Sequence, residues 1–153
     1  TPLGRALSAA GIRIIFTPAG AVVAQAFVAS FFVVRGAKIA FEAINPDYEA
    51  VALSLGANPY QVFWKVTLPL ARRGLISALV LGWARAMGEF GATLMVAGAT
   101  PFRTETLPVA VFLNISSGQI GVALACALVL LAAGFCLLGL LRWLVLGGRE
   151  KLY

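Results

Sequence analysis

The sequence predicts an all-α membrane protein: three transmembrane helices, with an amphipathic helix–turn–helix between the first and the second. Three observations predict it. Charged residues make up 12% of the 153-residue chain and hydrophobic residues 61%, with no histidine, a balance foreign to soluble domains. Three apolar stretches, about 16–34, 75–99 and 120–146, approach or exceed the roughly 20 residues that cross a bilayer core. Between the first two lies the passage DYEAVALSLGANPYQVFWKVTLP at 47–69, where apolar residues recur at helical spacing and cap signals appear in pairs.

The first stretch, Phe16 to Val34, ends at Arg35. Three crossings put the termini on opposite faces, and Lys and Arg decide which face is which, because positive loops stay cytoplasmic. Arg35, Lys38, Lys65, Arg72 and Arg73 fall between the first and second spans, and Arg142, Arg149 and Lys151 flank the end of the third. Arg5, Arg13 and Arg103 fall on the other side, with Arg85 inside the second span. The loop at 45–69 and the C-terminus are therefore expected in the cytoplasm, and the N-terminus outside, in a cytoplasmic (inner) membrane. No positively charged leader with a short apolar core opens the chain, so no secretory signal is expected in it. It starts at Thr1 instead of Met, from which further spans are expected upstream.

A net charge of +6 and a pI near 10 could suit nucleic acid. Here the charges are dispersed at membrane boundaries and form no aromatic-interleaved stripe, so the expected partner is lipid and not nucleic acid. Cys126 and Cys136 stand ten residues apart in one apolar stretch, about 15 Å along a helix and too far for a mutual disulfide. They are read as packing residues.

Local signals divide the cytoplasmic loop. Asn45 and Pro46 read as N-cap and first helical residue, with Asp47 and Glu49 placing negative charge in the first turn, where the helix dipole favours it. Tyr48, Val51, Ala52 and Leu55 follow at i, i+3, i+4 and i+7, and Gly56 supplies the left-handed residue that ends the helix. Asn58 and Pro59 repeat the cap-and-proline signal. Tyr60, Phe63, Trp64 and Thr67 then share a face, with Gln61 and Lys65 off it, and Pro69 is expected to break or kink the chain before the second span. Two short helices meeting at Gly56, Ala57, Asn58 and Pro59 would make a knob of fixed shape, suited to a groove in a partner. Adsorption of the loop flat on the membrane would call for more Lys and Arg on its polar face.

The second span carries the run ARAMGEFGATLMVAG. Counted from Arg73 at 1.5 Å per residue, Arg85 lies roughly 18 Å and Glu89 roughly 24 Å along a helix. Charges at that depth avoid lipid, and residues four apart meet on one helix face. Arg85 and Glu89 are thus expected either to fasten helices together or to line a polar path, while Gly88 and Gly91 allow close helix approach. Ser30 and Thr93 join them as path candidates on residue chemistry. The third stretch, with Gly121, Gly134 and Gly139 among Leu, Ala and Val, reads as scaffold.

With those residues in place, the loop resembles the cytoplasmic EAA loop of permease subunits in ATP-binding cassette importers. Gly56 is followed, after nine intervening residues, by Val66, Thr67, Leu68 and Pro69, which fits that pattern. The family's acidic residue usually stands six positions before the Gly, where this chain has Ala50; Glu49 stands seven before it. The contact made by that carboxylate is then either absent or supplied from Glu49.

The resemblance implies that this chain is the C-terminal part of a larger importer permease bundle, a single transmembrane permease domain over 1–153. Asp47, Glu49, Ala50, Ala52, Gly56, Ala57, Asn58 and Pro59 would face the cleft of a separate ATPase dimer. The chain has no G-x-x-x-x-G-K-[ST] phosphate loop, so ATP and Mg are expected on that partner, with no cofactor, metal or catalytic residue on this chain. A second permease copy and an extracytoplasmic oxyanion-binding protein would complete the assembly. The run GEFGAT, with Gly98, Ala99, Thr100 and Pro101, then Glu105 to Pro108 and on through Leu113 and Asn114, resembles the molybdate and tungstate permeases. Sulfate permeases share the GEFG core, so a sulfate or thiosulfate importer is the alternative. A membrane anchor that transports nothing is a further alternative, against which stands the costly Arg85/Glu89 pair. A membrane enzyme is not expected, given the lack of histidine, H-E-x-x-H, G-x-S-x-G and paired metal-ligating carboxylates.

Overall fold

A computed structural model describes residues 15–100 and 103–146, and among them the regular structure is helical throughout. In chain order the elements are α1 (Pro18–Glu42), α2 (Asp47–Ser54), α3 (Pro59–Val62), a π-helical turn (Phe63–Thr67), α4 (Leu68–Met87), α5 (Gly91–Ala97), α6 (Leu107–Ser116) and α7 (Ile120–Leu146). Three helical runs are long and apolar enough to cross a membrane: Pro18–Glu42, Pro59–Met87 and Ile120–Trp143. The all-α membrane class predicted from composition is the class observed. Arg5, Arg13, Pro101, Arg149 and Lys151, used in the sequence reading, lie outside the described residues.

The boundaries differ from expectation in three places. The first helix does not stop near Val34 but runs on to Glu42. Hydropathy marks the part of a helix that sits in lipid, whereas Ala37, Lys38, Ile39 and Ala40 continue the helix past it, with an exposed Lys38–Glu42 ion pair at 3.7 Å. Pro69 does not break the chain, which stays helical from Pro59 to Met87. It falls in the first turn of α4, and the preceding π turn absorbs it, the Leu68 N–H donating five residues back to the Phe63 carbonyl. Proline in an α-helix would otherwise press on the carbonyl four residues before it.

The third difference concerns the second span, expected over 75–99. Its helix ends at Met87, and Gly88, Glu89 and Phe90 separate it from the seven-residue α5. α6 was not anticipated as a separate helix; Thr106 precedes its first residue and Pro108 sits in its first turn.

The described residues divide into two compact units, one of residues up to 29 with 84–136, the other of 30–83 with those from 137 on. In the second, α1 and α4 meet along a seam of small side chains. A Cβ built on Gly36 would lie 2.6 Å from the Ala78 Cβ, and one built on Gly74 would lie 2.5 Å from the Ala40 Cβ. Gly36 and Ala40 on one helix thus mesh with Ala78 and Gly74 on the other, each pair four residues apart. Such reciprocal small-x-x-x-small packing holds apolar helices together where lipid removes the hydrophobic drive.

In the first unit the core gathers around Val109, Ala97 and Thr93, all fully buried, and Phe90 packs on Phe112 with ring centroids 5.0 Å apart. The Phe16 N–H donates to the Val96 carbonyl at 3.0 Å. Along α7 most large apolar side chains, including Leu124, Leu128, Leu131 and Phe135, are exposed. Ala123 and Leu137 of the same helix are buried, so it packs on one side and leaves the rest of its apolar surface suited to lipid or to further helices. A Cβ on Gly121, Gly134 or Gly139 would meet nothing within 4 Å.

Candidate functional site

Two regions carry the residues singled out from sequence: the loop at 45–69 and the turn after α4. In the loop, the Asn45 side-chain oxygen accepts the Asp47 N–H at 3.0 Å; α2 begins at Asp47, one residue later than expected, with Pro46 and not Asn45 at the cap position and no side-chain cap bond from it. The helix ends in two reversed bonds, Gly56 N–H to the Leu53 carbonyl at 3.0 Å and Ala57 N–H to the Ala52 carbonyl at 3.2 Å. Gly56 has φ +86°, the left-handed conformation in which those bonds form and which glycine adopts without strain.

Asn58 then caps α3 reciprocally. Its side chain accepts the Gln61 N–H at 2.8 Å, and the Gln61 side chain accepts the Asn58 N–H at 3.1 Å. Two of the donors left over at the helix start are thereby satisfied. Pro59 occupies the first helical position, where its missing N–H costs nothing.

The predicted faces are redistributed. Tyr48, Val51 and Leu55, expected on the apolar side of α2, are exposed, Leu55 at 82%. Tyr60 and Trp64 are also exposed and pack edge to face at 6.2 Å. The buried residue of the second helix is Val62, two positions on from Tyr60 and so on a different side of the helix. Phe63 stacks on Phe41 of α1, centroids 6.3 Å apart. Asp47, Ala50, Asn58 and Pro59 are exposed, while Glu49, Ala52 and Ala57 are half-buried. The loop therefore presents a polar rim around exposed aromatic and aliphatic side chains, the composition of protein interfaces.

Sequence reading placed Thr67 on a face but assigned it no role. Its hydroxyl donates to the Glu49 carboxylate at 2.6 Å, across eighteen residues of chain. The signal available was the shifted acid, a Glu one position away from where the family pattern has it.

After α4, Arg85 Nη1 meets Glu89 Oε2 at 2.8 Å, with the Glu89 side chain 9% exposed and that of Arg85 40%. The pair expected between the two residues is formed, though not on a continuous helix, since Glu89 lies beyond Met87. Its other oxygen, Oε1, accepts the Ala92 N–H at 3.0 Å. One carboxylate thus ties the last turn of α4 to the first turn of α5. One turn further on, Thr93 is fully buried, and its hydroxyl has no hydrogen-bond partner among the described residues. Of the path candidates in the first unit the structure pairs Arg85 with Glu89, with Thr93 close in sequence; Ser30 is an exposed residue of α1 and belongs to the second unit.

Three apolar helices, a doubly capped loop between the first two, and a charged turn after the second define a polytopic transport component. The chain belongs to the family described as binding-protein-dependent transport system inner membrane component, whose model matches residues 9–147. It is 46% identical over 132 residues to the molybdenum transport system permease proteins ModB of Mycobacterium tuberculosis and Mycobacterium bovis, an alignment covering 86% of this chain and 50% of each relative. It is 42% identical over 119 residues to the sulfate transport system permease protein CysW of Synechocystis, covering 78% of this chain and 43% of that protein. The chain spans about half the length of these relatives.

Proposed function

We propose that this chain is part of the membrane-spanning permease of an importer for molybdate or tungstate, driven by ATP hydrolysed on a separate subunit. The observation that carries the reading is the loop at 45–69, whose caps give it one shape and whose exposed residues give it an interface. It would seat in a cleft of an ATPase dimer that holds ATP and Mg, with Asp47, Glu49, Ala50, Ala52, Gly56, Ala57, Asn58 and Pro59 at or behind the contact. Closure of the dimer would then push on a helix that continues through the π turn into the membrane. The loop and the C-terminus would be cytoplasmic and the N-terminus external.

An external binding protein would capture the oxyanion and release it at the outer mouth, between two permease copies. The path should hold a dianion weakly, since one held tightly at mid-membrane would not leave. Arg85 has its charge offset by Glu89 at 2.8 Å, which suits passage better than capture, with the hydroxyls of Thr93 and Ser30 as further candidates along it. Greater identity to the molybdenum permeases than to the sulfate permease supports the choice of oxyanion. The 42% identity to a sulfate permease supports sulfate as the second reading.

The test is ATP-dependent uptake of labelled molybdate, tungstate and sulfate into liposomes holding the permease, its ATPase and its binding protein. Molybdate or tungstate should be taken up and sulfate excluded. Preferential sulfate uptake would move the substrate assignment, and uptake that persists without ATPase would remove the mechanism.

A further inference from the structure

The Glu49–Thr67 bond sits where a lever needs it. α2 hangs from the rest of the loop by its caps and by the turn at Gly56, Ala57 and Asn58, and a short turn by itself is a hinge. The bond between Glu49 Oε1 and Thr67 Oγ1 closes the segment between them into a ring, so that α2 is fastened at both of its ends. It borders a hollow of about 210 Å³ lined by Glu49, Leu53, Pro59, Val62, Phe63 and Thr67. Both residues are half-buried, in a mostly apolar setting that strengthens a charge-assisted hydrogen bond.

The π turn is what makes the bond geometrically available. A turn closed by i→i+5 bonds delays the following residues by one position relative to an α-helix, roughly 100° about the axis. Thr67 is the last residue of that turn, so an α-helix carried unchanged from Pro59 would point its hydroxyl elsewhere. The wider turn thus serves two ends: it accommodates Pro69 and it aims Thr67 at Glu49.

We infer that Thr67 is a positioning residue for energy coupling: by engaging Glu49 it fastens α2 to the base of the helix that enters the membrane. Glu49 is then a strut within the loop and not a contact to the ATPase. Motion imposed on α2 reaches the membrane helix through this bond as well as through the Gly56 turn. The inference rests on the proposed role of the loop, and its two tests separate the two claims.

The first test reads the strut alone, by hydrogen–deuterium exchange of the Asp47–Ser54 amides with the chain in lipid nanodiscs. Thr67→Val should exchange about fivefold faster than the parent, Thr67→Ser should stay within about twofold of it, and Glu49→Ala with Thr67→Val should be no faster than either alone. Exchange unchanged by Thr67→Val, or equal in the Ser and Val variants, would overturn the strut whatever the protein transports.

The second test reads coupling, as oxyanion imported per ATP hydrolysed in the reconstituted system. Thr67→Val should lower that ratio at least about threefold while ATPase turnover persists, and Thr67→Ser should restore it. A simple loss of folded protein would lower both rates and leave the ratio alone. An unchanged ratio in Thr67→Val, with the parent importing normally, would overturn the positioning role. A parent that imports nothing would instead refute the proposed function.

Discussion

At the start of α4 the chain carries Pro69 and keeps its helix; at the end of α4, over Gly88, Glu89 and Phe90, it carries no proline and loses it. At the first junction the residues that would break a helix are outweighed by what surrounds them. Asn58 and Gln61 start the helix with both caps satisfied, the π turn makes room for Pro69, and Glu49 reaches over to Thr67. At the second junction a Cβ added to Gly88 would make only ordinary van der Waals contacts, the nearest atom, the Ala84 carbonyl oxygen, lying 3.9 Å away. What ends the helix there is Glu89, whose two oxygens are shared between Arg85 and the Ala92 N–H. In each case a glutamate and not a proline decides how the chain goes on. In the first it holds two helices together, and in the second it holds two helices apart while keeping their ends tied.

The comparison predicts unequal sensitivity at the two junctions. The largest effect belongs to Glu89→Ala, which strands the half-buried Arg85 guanidinium and uncaps α5. It should cost about 2–3 kcal/mol, seen as loss of assembled protein in membranes and of uptake, with Glu89→Gln milder because its amide oxygen still accepts the Ala92 N–H. Full activity of the alanine variant would show that the pair holds nothing together.

Gly56→Val comes next. A Cβ there meets nothing within 4 Å, so the penalty arises only from φ +86°, on the order of 1–2 kcal/mol. Weaker binding of the ATPase subunit in a pull-down from membranes should follow, with Gly56→Asn recovering part of it. Asn58→Ala should cost about 1 kcal/mol through the lost cap, measurable as faster amide exchange at Gln61. Smallest of all is Gly88→Ala, within about 0.5 kcal/mol. Uptake by that variant should match the parent, and a severe loss would mean that the glycine and not Glu89 sets the break.

Much of this was legible in the sequence where a single residue type has a single physical role. Gly56 and Asn58 announced their caps, and the Arg85/Glu89 spacing announced its ion pair, whereas the cap position of α2 falls on Pro46 and not on Asn45. The misjudged positions are those where a residue's effect depends on neighbours far along the chain. Pro69 reads as a breaker until the π turn is known, and burial falls on Val62 and not on Tyr60 because the loop folds back on the side opposite to its larger aromatic residue. Thr67 carries no signal without its partner eighteen residues away. The end of the second span was missed because hydropathy continues unbroken through Phe90 to Val96, while the interruption comes from one carboxylate accepting a backbone N–H. The seam of Gly36, Ala40, Gly74 and Ala78 is visible in sequence only as scattered small residues, since register between helices is set by packing.

The central claim is that the loop at 45–69, and not another exposed apolar patch, meets the energy-supplying subunit. A photo-crosslinking amino acid placed at Leu55, 82% exposed beside the α2 cap, can be compared with one at Met95, 86% exposed on α5. In membranes holding the whole transporter, position 55 should capture the ATPase subunit and position 95 should not. Capture at 95 with none at 55 would contradict the account.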